Sequence, residues 1–123
     1  MRNVRITVLR REFYPELADE YLAEGRQAGA CPLHAVGDSY LYTGGAEKPD
    51  GLCPWAWMDL YRTVSALYSG ADENDWYTDS RTRVECCTDG VRPVIFEIRA
   101  EDGECGSPGN VRAGARSGRE DCT

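Results

Sequence analysis

Residues 53–70 read CPWAWMDLYRTVSALYSG, and this stretch decides the fold. Trp57, Leu60, Tyr61, Val64, Leu67 and Tyr68 recur at steps of three and four, the spacing of one helix face. Pro54 suits the first helical position, where a missing N–H is harmless, and Gly70 suits the stop. The spacing predicts a core helix over Pro54–Ser69 with Cys53 as its N-cap.

The segment beyond this helix reads as a β-hairpin. Thr82 to Cys87 and Val91 to Ile98 are rich in strand formers, and Thr88-Asp89-Gly90 between them is turn chemistry. Two registers are open. A two-residue Asp89-Gly90 turn puts Cys87 on the face of Val94, Phe96 and Ile98 and leaves Val84 outside. A three-residue loop with Gly90 left-handed puts Val84 and Cys86 on that face instead, and buries more apolar surface. The second is the expectation, with Cys86 inward and Cys87 outward.

Working toward the N-terminus, Lys48-Pro49-Asp50-Gly51 is a turn, Ser39–Thr43 a strand ended by Gly44-Gly45, and Val36-Gly37-Asp38 the turn that delivers it. Gly25 to Pro32 is loop-like. Pro15 opens a short helix reaching toward Gly25, with Leu17, Ala18, Tyr21 and Leu22 on one face and Glu16, Asp19, Glu20 and Glu24 on the other. Val4, Ile6 and Val8 alternate with Arg5, Thr7 and Leu9, the period of a half-buried strand over about Asn3–Arg10. The sum is an α+β fold: a small antiparallel sheet of about four strands, open or curled toward a barrel, packed on one main helix. Residues 1–101 form the expected domain. From 102 to 123 the chain turns to Gly, Ser, Arg and Glu, too polar to offset ordering entropy, and reads as a disordered tail in which Cys105 and Cys122 are incidental.

Composition narrows the function. The chain has 123 residues, 41% apolar, with three Trp, seven Tyr and two Phe, enough for a core that does not rely on disulfides. A net charge of −7 without a Lys/Arg stripe disfavours nucleic acid and anionic membrane surfaces. The first residues lack a secretory pattern, and no stretch approaches the ~18 apolar residues of a membrane span. The expected compartment is the cytoplasm, where cysteines serve as metal ligands, nucleophiles or buried small hydrophobes more often than as disulfides.

The cysteines are the candidate site: Cys31 before Pro32, Cys53 at the helix mouth, and Cys86 and Cys87 on a strand. Together with Asp59-Leu60-Tyr61, Asp89-Gly90 and Arg92-Pro93-Val94-Ile95-Phe96, these motifs make the stretch from Val4 to Arg99 resemble a family of small cysteine-containing bacterial and archaeal proteins. That family carries no assigned activity. The resemblance implies one compact fold and a shared cysteine site, and it transfers no catalytic residue.

Three readings of the cysteines compete. A tetrahedral zinc site needs four N or S ligands, and Cys31, Cys53 and Cys86 with His34, the single histidine, supply that number. With Cys87 in place of His34 the same set suits an iron–sulfur cluster, and its thiolates suit Cu(I). The spacing lacks a second two-residue knuckle. Alternatively, Cys53 at a helix N-terminus meets the positive end of the dipole, which favours thiolate and suits a small redox or cyclising thiol enzyme. Cys31 or Cys86 would then resolve, or His34 act as base oriented by Asp50 or Asp59. Third, the cysteines are core filling in a non-catalytic binding or accessory module. A metal-binding site is the leading expectation, with the small-molecule or protein partner unspecified.

Three further groups are weaker. Trp55 and Trp57 are both expected in the core, with Trp55 lining a pocket beside Cys53 as the alternative. Arg92 is expected to pair across the hairpin with Glu85. Asp72-Glu73-Asn74-Asp75 reads as a solvated loop, because the twelve-residue calcium loop is missing.

Overall fold

The computed structural model describes residues 2–72 and 75–101. The expected tail over 102–123, with Cys105 and Cys122, and residues 73 and 74 of the acidic loop lie outside the described residues.

Four strands make one antiparallel sheet in the order β2-β1-β4-β3: β1 Asn3–Arg11, β2 Ser39–Tyr42, β3 Thr82–Cys86 and β4 Val94–Glu101. The α+β expectation holds, and the sheet is open, without barrel closure. Helix α1 spans Pro15–Tyr21 and helix α2 spans Pro54–Tyr68, with a 3₁₀ turn at Gly25–Ala28. α1 is shorter than its apolar spacing suggests, and only Ala18 of it is buried. α2 lies on one face of the sheet, where Ala56, Trp57, Leu60, Val64 and Leu67 meet Val4, Ile6, Val8, Val94, Phe96 and Ile98 in a single core. Helical period on one side and strand period on the other are thus satisfied by one apolar layer. No helix among the described residues is long and apolar enough to cross a membrane.

Two details of register shape the rim of the sheet where β1 and β3 end and β2 and β4 begin. The first is a bulge at Leu9: Val8 pairs with Phe96, but Arg10 pairs with Ile95 and Arg11 with Val94. An extra residue flips the side-chain parity, so Arg11 shares the helix-side face with Val94 instead of alternating away from it. The second is the hairpin. Cys86 pairs with Ile95, Val84 with Glu97 and Thr82 with Arg99. Val84 and Cys86 therefore point away from α2, and Val84 is 42% exposed.

This corrects the expectation that Cys86 faces the core and Cys87 faces out. The connection is not a tight Asp89-Gly90 turn but a longer loop closed by the Asp89 carboxylate, which accepts the N–H groups of Val91 (2.9 Å) and Arg92 (3.0 Å). An aspartate that caps its own loop removes the need for a left-handed Gly90 and shifts the register by an odd number of residues. Arg92 also pairs with Asp89, not with Glu85. Glu85 instead accepts from Thr63 Oγ1 on α2 at 2.5 Å.

Candidate functional site at the thiol rim

The rim is built by segments that irregular backbone brings together. Arg11, set on the helix-side face by the bulge though exposed, donates to the Cys31 carbonyl at 2.9 Å and ties the Cys31–Pro32 segment to the end of β1. Beyond it the turn Ala35–Asp38 is sewn to β1: Gly37 N–H donates to Val8 O and Val8 N–H to Asp38 O, both at 2.8 Å. The Asp38 carboxylate accepts Ala35 N–H at 3.1 Å, so a buried acid is used to close the turn.

Between these anchors lies His34, 4% exposed. Its ring sits edge-on to Tyr40 and Phe96, each with centroids 5.6 Å away. Nε2 accepts the backbone N–H of Cys53 at 3.3 Å, and Nδ1 lies 2.9 Å from Tyr40 Oη. A nitrogen that accepts cannot carry the proton, so the network assigns the hydrogen to Nδ1, which donates to the tyrosine. Burial pushes the His34 pKa down, against a smaller opposing pull from Asp38. The imidazole is neutral at pH 7, and both its nitrogens are engaged.

Cys53 is the N-cap of α2, as its place before Pro54 predicts. Its backbone is extended (φ −59°, ψ 129°), its carbonyl accepts from Trp57 N–H at 2.9 Å, and its side chain makes no capping bond. The first-turn N–H groups of a 15-residue helix are therefore not capped by the residue placed to do so, and the thiol, half-buried against the core, stands at the positive end of the helix dipole. His34 binds the amide of the N-cap residue itself and leaves those first-turn amides uncapped.

Cys87 closes the rim from the hairpin side. Its N–H donates to Val94 O at 3.1 Å, and Val94 N–H lies 3.4 Å from Cys87 Sγ, an acceptor distance for sulfur. The next residue, Thr88, donates its N–H to the Asp59 carboxylate at 2.8 Å, tying the hairpin to the second turn of α2. Cys86 stands on the far face. Desolvation of its sulfur, then the neighbouring Cys87, Asp59 and Glu85, push its thiol pKa up, which disfavours a thiolate there.

The four cysteines among the described residues are free thiols. Cys31, Cys53 and Cys87 each pack half-buried against the core at this rim, with His34 among them, while Cys86 does not join. Cys86 therefore does not join the expected convergence with Cys31 and Cys53, and Cys87, expected outward, is the hairpin cysteine that packs against the core. Among the described residues, no group of three or more His, Cys, Asp or Glu side chains is placed to hold a metal ion. Asp50 and Asp59 do not orient His34, whose partners are Tyr40 and Cys53. Trp57 is core, whereas Trp55 is 71% exposed and so is not. An open cleft lined by Leu41, Thr43, Glu47, Lys48 and Asp50 lies along β2 and includes none of the cysteines.

Sequence reasoning missed Arg11 and Tyr40. The signal for the first is the break in alternation at Leu9-Arg10-Arg11, which a bulge resolves. Tyr40 carried none beyond its place on a strand. Against known proteins, no family profile, curated protein or solved structure matches this chain.

Proposed function

We propose that the protein is a small thiol-dependent protein whose reacting group is Cys53, with Cys31 and Cys87 on the same rim as candidate resolving thiols. The observation that supports this is the N-terminus of α2: the Cys53 side chain leaves the first-turn amides uncapped while the residue is only partly buried. Uncapped amides and the positive end of a helix dipole favour an electron-rich group beside them. Neutral His34 accepts the Cys53 amide and so anchors the backbone of the N-cap residue without contributing charge. The cysteines among the described residues are free thiols, the form that this chemistry needs. The acidic balance of −7 favours a neutral or cationic substrate over nucleic acid.

The test is the order of iodoacetamide alkylation under reducing, native conditions, with each modified residue identified by mass spectrometry. Cys53 is expected to be the first residue modified. Alkylation that reaches Cys31, Cys86 or Cys87 before Cys53 removes the reading.

Metal binding is the second reading, motivated by three partly buried thiols on segments that meet the same end of the sheet, which among the described residues are not grouped to hold an ion. It requires their side chains to turn toward one point and involves Cys31, Cys53 and Cys87, since His34 is committed to hydrogen bonds and Cys86 faces away. Near-stoichiometric zinc, iron or copper in protein purified anaerobically under reduction supports it. Less than about a tenth of an equivalent argues for the thiol alone.

A further inference from the structure

The β3 edge carries an unusual contact. Because Cys87 N–H donates to Val94 O, Cys87 and Val94 form a hydrogen-bonded pair. Alternation along the antiparallel ladder makes Glu85–Phe96 and Arg83–Ile98 the next such pairs. The N–H and C=O of Val84 therefore point away from β4, toward the free side of the sheet. Both are taken by one hydroxyl. Tyr77 Oη accepts Val84 N–H at 3.1 Å and donates to Val84 O at 3.2 Å. Its ring lies 5.7 Å from the Arg83 guanidinium carbon. A single side chain thus reproduces one rung of a ladder, on an edge strand whose Val84 and Cys86 are exposed. Once that hydroxyl is withdrawn, an edge of this kind is a template for another strand.

We propose that β3 is a concealed dimerisation edge, held closed by Tyr77, and that its partner is β3 of a second copy paired antiparallel about Val84. Three observations favour this occupant. A two-fold axis at Val84 gives each copy one N–H and one C=O in place of those supplied by the Tyr77 hydroxyl, so the rung is replaced in kind. The same register sets Glu85 opposite Arg83 of the second copy and Arg83 opposite its Glu85, two cross-strand pairs of opposite charge. It also brings the two exposed Val84 side chains together on the outer face. Shifting the axis to Glu85 would oppose the two Glu85 carboxylates, which fixes the register. The product is one continuous sheet of eight strands, β2-β1-β4-β3 continued through its two-fold copy.

The test is sedimentation of the full chain in reducing buffer, with circular dichroism to confirm folding of each variant. Tyr77→Phe removes both contacts to Val84 while keeping the ring, and is expected to dimerise at least about tenfold more tightly than the parent chain. Adding Val84→Pro removes the outward N–H without touching the β3–β4 rungs, and is expected to return the protein to monomer. Adding Glu85→Arg to Tyr77→Phe instead places like charge opposite Arg83 and is expected to weaken the dimer. This arm carries the test should the proline variant not fold. A Tyr77→Phe protein that associates no more than its parent overturns the proposal. So does a Tyr77→Phe dimer that keeps its affinity when Glu85→Arg is added.

Discussion

The two edges of the sheet are protected by different physics. At β2 all four strand residues are buried, and the segment after the strand folds back over it: Tyr42 Oη donates to Gly45 O and the Tyr40 ring sits beneath Gly51. Tyr42 meets Trp57, Tyr61 and Tyr68 of α2 with ring centroids 5.3 to 6.4 Å apart. At β3, exposure alternates along the strand and polar contacts do the holding: Thr63 to Glu85, Thr88 to Asp59, Tyr77 to Val84. Aromatic area excluded from water outweighs single hydrogen bonds, which exchange one partner for another. The β2 flank is thus held by buried aromatic area and the β3 flank by single polar contacts.

That contrast sets the order of substitution effects. Trp57→Ala removes the ring that bridges Tyr42 and Tyr61 and donates to Ala46 O, and is expected to lower unfolding free energy by about 3–5 kcal/mol in a urea titration. Gly44→Ala strikes the same flank from the backbone. Gly44 has φ +124°, and a Cβ there falls 2.7 Å from Tyr68 Oη, so a loss of about 1–3 kcal/mol is expected by the same measurement. On the other flank, Asp59→Ala deletes the acceptor for Thr88 N–H and is expected to cost only about 0.5–1.5 kcal/mol. An Asp59→Ala loss equal to that of Trp57→Ala would break the comparison. Val84→Thr, on the exposed face of β3, is expected to stay within about 0.5 kcal/mol of the parent.

The thiol rim adds a pH dependence through His34. The folded pKa of His34 lies below its ordinary value of 6.5, because burial disfavours the charged ring. Between the folded and unfolded values the unfolded chain binds more protons, so stability rises with pH across that window. Going down, stability begins to fall near pH 6.5 and the loss is complete only below the depressed folded value. The carboxylates of Asp79 and Asp89 lie below their ordinary value of 3.8 and lose their contribution in a separate, more acidic range. Urea midpoints compared between about pH 7.5 and about pH 5 should show the His34 slope, and His34→Gln should flatten it.

Tyr42 teaches the opposite lesson about titration. Burial, reinforced by Tyr61 and then Tyr68, pushes its phenol up to about 12, so this flank keeps its charge state through the whole range where the rim changes.

How far the sequence carried depended on whether a residue obeyed a period. α2 was legible almost to the residue because Pro54, Gly70 and the spacing of Trp57, Leu60, Val64 and Leu67 agree. β1 was legible to Val8 and misleading beyond it, because a bulge leaves no mark except lost alternation. The β3 register was lost to the Asp89 loop. The burial argument for Val84 then chose the wrong face, since an edge strand tolerates an exposed valine. Cys53 could be placed from Pro54 alone. Cys87 could not, because its face depends on a loop closed by one carboxylate. Tyr77, which guards the edge through its hydroxyl, belongs to no pattern at all.

The Asn3–Glu101 pairing of β1 with β4 has a bearing on how the chain comes to be folded. Among the described residues β1 is the first strand made and a central one, flanked by β2 and β4, and its longer partner is the last of the four. Until β4 exists, the apolar face of β1 can recruit only β2 and α2, and the sheet has a gap where its middle should be. Contacts between residues so distant in sequence slow the search, toward the millisecond-to-second range of sheet proteins and away from the microseconds of helical bundles. Folding should therefore finish late and all at once, with α2 forming early by local contacts and docking of β4 as the step that completes the thiol rim and the β3 edge together.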